Sequence, residues 1–193
     1  MAATREPVEY EVKVPLTNAG EVRERIESVV GGGPEERVIE EDYYVDFSKC
    51  PGVPRGTAFR IRKVLSPDGR LVRGKVTFKK LPPGNTPREA KVRVEIETGV
   101  TDPDALVKAF TMLGFPLIRV RKERLTYRFS KDVTLSLDRV EGLGTYLEVE
   151  VMNPPSSEYY NKRLEEVLKA LGLRPGRLET RPYVELIQEM MSG

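Results

Sequence analysis

Glu9, Glu11 and Lys13 stand two apart in the run from Val8 to Val14, where they alternate strictly with Val8, Tyr10, Val12 and Val14. Period-two alternation predicts a β-strand with one apolar and one charged face. Two carboxylates and an ammonium then project side by side, each about 7 Å from the next. Similar sets recur along the chain: Glu95/Glu97 and Glu148/Glu150 are acidic, while Arg60/Arg62, Lys75/Lys79 and Lys122/Arg124 are basic. Like charges on one strand face repel, so inside a protein they need counter-charges or a ligand. Carboxylate pairs suit a hard divalent cation, and Arg/Lys pairs suit phosphate oxygens. Together they describe a cavity for a metal–polyphosphate complex. The competing reading is a charged sheet face that simply meets water.

The residues that are missing narrow the chemistry. The 193-residue chain has no histidine, which excludes Ser-His-Asp and Cys-His catalysis and His-ligated zinc. Cys50 is the single cysteine, so thiolate metal clusters and an intramolecular disulfide are excluded too. Any metal must have oxygen ligands, which points to magnesium, manganese or calcium. Charged residues make up 32% of the chain but nearly balance at +2. That argues against a general nucleic-acid or membrane-surface binder. There is no long apolar run and no signal-peptide pattern, and a soluble, cytoplasmic protein is expected.

The elements that must position these residues are legible from periodicity. After the first strand, Thr17 or Asn18 can cap a helix, with Glu21 completing a capping box and Gly31-Gly32-Gly33-Pro34 ending it. Strands are predicted over Val38–Phe47, Ala58–Val64 and Leu71–Lys79, the last two joined by the Pro67-Asp68-Gly69 turn. Leu81–Arg88 reads as a loop, followed by a strand over Lys91–Thr98. Asp102-Pro103 starts a helix with Leu106, Ala109, Phe110 and Leu113 inward, ending at Gly114. Leu117–Phe129 supplies one long strand or two short ones, then come Val133–Asp138 and Tyr146–Val151. A helix with Tyr160, Leu164, Val167, Leu168 and Leu171 on its stripe follows Pro154-Pro155, and a short helix spans Tyr183–Met191. Each helix stripe must cover an apolar strand face, so the charged faces should turn away from the helices. About eight strands closing into a barrel would put those faces in its lumen.

In this order the residues resemble the CYTH superfamily of triphosphate tunnel metalloenzymes, which includes class IV adenylate cyclases, thiamine triphosphatases and inorganic triphosphatases. The resemblance rests on Glu9-x-Glu11-x-Lys13, Asp42-Tyr43-Tyr44, Arg60-Ile61-Arg62, Thr77-Phe78-Lys79 and Arg93-Val94-Glu95-Ile96-Glu97. It continues through Lys122-Glu123-Arg124, Leu137-Asp138, Leu143-Gly144 and Glu148-Val149-Glu150. It implies a single domain over 1–193, α+β in class: a closed eight-stranded antiparallel barrel with helices packed on the outside. Glu9, Glu11, Glu148 and Glu150 would hold Mg2+ or Mn2+, assisted by Asp138 and by Glu95 or Glu97. Lys13, Arg60, Arg62, Lys75 or Lys79, Arg93, Lys122 and Arg124 would grip phosphate oxygens, with Glu11, Lys13 and Asp138 nearest the chemistry. Arg181 is a candidate for closing the tunnel. The implied partner is a triphosphate-containing small molecule (ATP, tripolyphosphate or thiamine triphosphate), with no nucleic acid or membrane; a homodimer is left open. The implied activity is most like adenylate cyclase, the alternatives being triphosphatase or a non-catalytic polyphosphate-binding module. Arg119, Arg121 and Arg128 read as surface charges, Asp42 and Asp46 equally well as turn or surface residues, and Tyr43, Tyr44 and Tyr146 as packing residues.

Overall fold

The computed structural model describes residues 9–48, 50–54, 57–80, 94–174, 176 and 178–192, without the side chains of Glu9, Lys80, Val94, Glu95 and Ser192. Arg93 and the expected loop over 81–88 lie outside the described residues. The strands are β1 (Glu9–Leu16), β2 (Glu36–Val45), β3 (Ala58–Leu65), β4 (Leu71–Lys80), β5 (Val94–Val100), β6 (Leu117–Arg128), β7 (Val133–Val140) and β8 (Gly144–Met152). The helices are α1 (Ala19–Val30), α2 (Pro103–Met112), α3 (Ser157–Ala170) and α4 (Tyr183–Ser192). All strand pairs are antiparallel, in the order β1-β8-β7-β6-β2-β3-β4-β5. None of the described helices is long and apolar enough to cross a membrane.

The expected closure into a barrel is not found: among the described residues β1 and β5 are the two edges of an open sheet and do not pair. Part of the reason lies in the backbone of β1. Lys13 N–H donates to the Glu179 carbonyl at 2.9 Å, and Glu179 N–H donates back to the Lys13 carbonyl at 2.8 Å. Each residue has one donor and one acceptor on its main chain. At Lys13 the segment before α4 has taken both, leaving none for β5.

Alternation along the strands sorts the two faces. Val12, Val14, Leu135, Leu147, Val149 and Val151 form one core with Val22 and Ile26 of α1 and with Tyr160, Leu164, Val167 and Leu168 of α3. On the same side α2 sets Phe110 against Phe59 of β3, ring centroids 5.3 Å apart. Asp102 caps α2 by accepting from Ala105 N–H at 2.9 Å. Asn18 makes no such bond at α1, so the expected capping box does not form. Leu113, expected inward, is 72% exposed, because α2 ends at Met112.

Helix α4 breaks the rule that helices cover the outer face. Its Tyr183, Leu186 and Ile187 pack on Val120 and Val140, with Ile118 and Tyr146 alongside. These strand residues share the even-numbered face of Lys122, Asp138 and Glu148. The inner face is therefore not charged from end to end, and its apolar end needs a cover.

Candidate active site

Strand parity brings the predicted residues to one concave face, and register sets acids opposite bases. Glu40 stands across from Lys122, Asp42 from Arg62, Arg124 from Asp138, and Lys13 from Glu148. Opposite charges directly across a ladder stabilise the pairing. The contacts follow the register. Arg62 donates to both Asp42 oxygens at 2.6 and 2.7 Å and to Glu40 at 2.7 Å. Arg124 forks onto both Asp138 oxygens at 2.6 Å and also donates to Glu148 at 2.7 Å. Such two-point arginine–carboxylate bonds fix direction as well as distance. Lys13 Nζ lies 3.0 Å from Glu11 and 3.6 Å from Glu148, and Lys122 Nζ lies 3.1 Å from Glu40 and 3.2 Å from Asp138. The Glu40–Lys122 contact lacks hydrogen-bond geometry at Glu40 Oε2 and is coulombic. Arg60 donates to Thr77 Oγ1 at 2.9 Å.

Burial and charge pull against each other here, and charge wins. Burial alone would raise the Glu148 carboxyl, but Arg124, Lys13 and Lys122 hold it far below the usual carboxylate range. Glu40 is likewise held well down, burial being outweighed by Arg62, Lys122 and Arg124. Glu11 and Asp42 are also lowered against burial, by Lys13 and by Arg62 with Arg60 respectively. Burial would neutralise Lys13, yet Glu11 and Glu148 raise it above the ordinary lysine value. Every one of these groups is ionised at neutral pH.

These charges line a cavity of about 820 Å³. Glu11, Lys13, Arg60, Arg62, Lys75, Lys79, Glu97, Lys122, Arg124, Glu148 and Glu150 all reach its wall. Both candidate lysines of β4 are present, with Lys75 Nζ 2.5 Å from Glu97. Asp138 is not part of the wall: it is fully buried beneath Arg124 and Lys122. Glu9 is placed by its backbone opposite Met152, and Glu95 opposite Lys79. Arg181 is held by Glu179 and Glu189 and does not line the cavity. Arg119, Arg121 and Arg128 lie toward solvent on the opposite side of the sheet or at its margin.

Three residues matter more than the sequence suggested. Asp42 and Glu40 are buried, not surface, and form the anionic stripe between the arginines of β3 and the cations of β6. Their signal was hidden because Glu41 puts a charge on the other face of β2, where Arg119 and Arg121 meet it. The hint was stoichiometric: Arg60 and Arg62 required neighbours of opposite charge. Tyr183 is the third. Its hydroxyl donates to Asp138 at 3.0 Å, and the ammoniums of Lys13 and Lys122 each stand 5.2 Å from its ring centroid.

The floor's oxygen donors fit a hard divalent cation in type. Glu11 and Glu150 are cross-strand neighbours and both open to the cavity. Among the described residues, however, no three carboxylates gather at metal-site spacing, since Lys13 stands between Glu11 and Glu148.

The family model described as the CYTH domain matches residues 7–183. The chain belongs to the CYTH family. It is 29% identical over 182 residues to a Methanocaldococcus jannaschii protein named "Putative adenylate cyclase MJ0240", covering 93% of this chain and 98% of that one. The PH1012 protein of Pyrococcus horikoshii OT3 has a TM-score of 0.74 at 28% identity, over 92% of this chain and 98% of its own. The Hippeastrum protein HpAC1, described as a "Putative adenylyl cyclase" with a dominant triphosphatase activity, shares the fold. Its TM-score is 0.68 at 17% identity, over 95% of this chain and 96% of that one.

Proposed function

We propose that this CYTH protein is a divalent-cation-dependent enzyme that seats a triphosphate on the concave face and converts ATP to cyclic AMP and pyrophosphate. One observation carries the triphosphate reading: Lys13, Arg60, Arg62, Lys122 and Arg124 converge in a single cavity, each within ion-pair distance of a buried carboxylate. The cyclase reading is supported by the name of the archaeal relative, which matches nearly the whole chain.

In this reading Arg60, Arg62, Lys122 and Arg124 donate hydrogen bonds to phosphate oxygens, with Lys75 and Lys79 flanking them from β4. Bound Mg2+ or Mn2+ would neutralise phosphate charge and polarise the phosphoryl oxygens; Glu11 and Glu150, neighbours across the ladder and open to the cavity, would hold it, while Glu148 is engaged by Arg124 and Lys13. Lys13 stays protonated and stabilises charge on the departing pyrophosphate. Asp138 and Tyr183 act from beneath by holding Lys122 and Arg124 in place. The ribose 3′-oxygen bonds to the α-phosphorus as the bond from that phosphorus to the bridging oxygen of pyrophosphate breaks, and the hydroxyl proton leaves to solvent. Glu11, Glu40, Asp42 and Glu148 are all poor bases. The rate then comes from positioning and charge placement, as phosphoryl-transfer chemistry requires.

A second reading replaces the ribose hydroxyl with water and gives triphosphate hydrolysis from the same residues. It is favoured by the activity described for HpAC1, a protein of the same fold. A product assay separates the two. Purified protein is given ATP, tripolyphosphate and thiamine triphosphate in turn, with Mg2+ and then Mn2+. Cyclic AMP with pyrophosphate supports the cyclase, free phosphate the hydrolase, and binding without turnover a binding module. Neither binding nor turnover of any of the three would overturn the proposal.

A further inference from the structure

The register of β1 against β8 sets up a conflict on the cavity wall. Glu11 lies directly opposite Glu150, and Lys13 directly opposite Glu148. Like charges facing each other across a ladder are destabilising unless a cation lies near. The chain supplies one from the same strand. Lys13 Nζ donates to Glu11 Oε1 at 3.0 Å and lies 3.6 Å from Glu148 Oε2. The ammonium thus stands between two carboxylates, as a bound cation would. Arg124 holds the other oxygen of Glu148 at 2.7 Å.

In the free protein Lys13 has no second place to go. Its side chain is 2% exposed, the Tyr183 ring stands 5.2 Å from its ammonium, and Arg124 is a like charge on the far side of Glu148. Among the described residues no carboxylate other than Glu11 and Glu148 comes within ion-pair distance of it. A divalent cation that took Glu11 would therefore strand a buried ammonium beside a second positive charge, which is strongly unfavourable. A triphosphate changes this balance. Seated among Arg60, Arg62, Lys122 and Arg124, it offers the ammonium new acceptor oxygens. The Glu11 carboxylate left behind is open to the cavity. Each ligand then removes the obstacle to the other, and such coupling is reciprocal.

We propose that Lys13 gates the cation site: its ammonium stands in for the divalent cation between Glu11 and Glu148 until a bound triphosphate draws it off. The proposal rests on the cation and triphosphate reading of the concave face, and its test reads binding, not turnover. Mn2+ is titrated into the protein with no triphosphate present, and free Mn2+ is followed by electron paramagnetic resonance. Wild type, Lys13→Met and Lys75→Met are compared. Methionine keeps an unbranched stem without the charge, and Lys75 is a second lysine on the same wall.

Lys13→Met should bind Mn2+ about tenfold more tightly than the wild type, within the roughly 5–150-fold span of ordinary couplings. Lys75→Met should stay within about twofold, the effect of the general field alone. Equal gains in both variants, or none in Lys13→Met, overturn the gate. A second measurement needs no change at the buried lysine. Tripolyphosphate is titrated calorimetrically with no divalent cation into the wild type, Glu11→Gln and Glu150→Gln. Glu11→Gln releases Lys13 and should tighten binding about fivefold. Glu150→Gln removes the same charge from a residue that is not an ion-pair partner of Lys13, and should tighten it by about twofold or less. Equal effects overturn the gate and leave the triphosphate reading standing. Absence of tripolyphosphate binding in all three proteins, with or without Mn2+, overturns both.

Discussion

Strand β8 carries both halves of the molecule. Leu147, Val149 and Val151 point outward into the helix-covered core, while Glu148 and Glu150 point into the cavity. The two faces are equally orderly but differ in what holds them. On the outer face each side chain touches many others, and losing one leaves a hole whose cost depends on how far its neighbours relax. On the inner face stability is conditional: each ion is tolerable because named partners neutralise it. Arg124 serves Asp138 and Glu148 together, and Arg62 serves Asp42 and Glu40. The apolar face can lose parts gradually. The charged face cannot lose a hub without stranding what it neutralised.

That contrast can be broken by substitution. Arg124→Ala should have the largest effect on stability, removing the closest cation from Asp138 and Glu148 and leaving them to Lys122 and Lys13, at about 3–5 kcal/mol, and a melting point lower by roughly 10 °C. Little change in a thermal melt would mean that the charged face is hydrated and unconstrained. Leu147→Ala, from the other face of the same sheet, should cost about 2–5 kcal/mol while turnover per folded molecule stays at the wild-type level. A parallel loss of activity in refolded, active-site-titrated protein would show that the faces are coupled.

The charged face should also carry a pH signature. Glu40 and Asp42 are depressed in the folded protein, so their contribution is complete above the ordinary carboxylate values of 4.5 and 3.8. It is lost as pH falls below these values, because the unfolded chain takes up protons first. Melting temperatures recorded from pH 7 to pH 2 should fall steeply below about pH 4.5. The decline should be shallower in Asp42→Asn, and identical slopes would remove Asp42 from the network. Glu11→Gln should change stability little, since the side chain is 29% exposed, yet abolish turnover of whichever triphosphate proves to be the substrate. Full activity would exclude Glu11 from the cation site. Smallest of all, Arg119→Ala removes a solvent-exposed partner of Glu41 and should shift stability by no more than about 0.5 kcal/mol.

Much of this architecture was readable along the chain because period-two alternation and helical stripes are local properties. The stripe of α3, from Tyr160 to Leu171, is buried as its spacing requires. The proline-first start of α2 at Pro103 and the strand pairs around Arg60/Arg62 and Glu148/Glu150 also stand where the pattern puts them. Glu40 was not readable, because nothing in its neighbourhood says whether the Glu40 or the Glu41 side of β2 turns inward. That depends on which strands pair with β2, and of its two partners β3 follows it directly while β6 comes only after β4, β5 and α2.

Glu9, Glu11 and Lys13 mark the same boundary. Their types and spacing by themselves determined a charged strand face suited to phosphate and a hard cation, since strand geometry is short-range. Only the tertiary structure decided what surrounds that face. Lys13 faces Glu148 across the ladder, its backbone is taken by Glu179 instead of a closing strand, and Tyr183 lies against its ammonium. These three neighbours are separated from Lys13 by more than a hundred residues of chain. No local preference can encode such contacts; they exist because burying the helices' apolar stripes brings distant segments to the same edge.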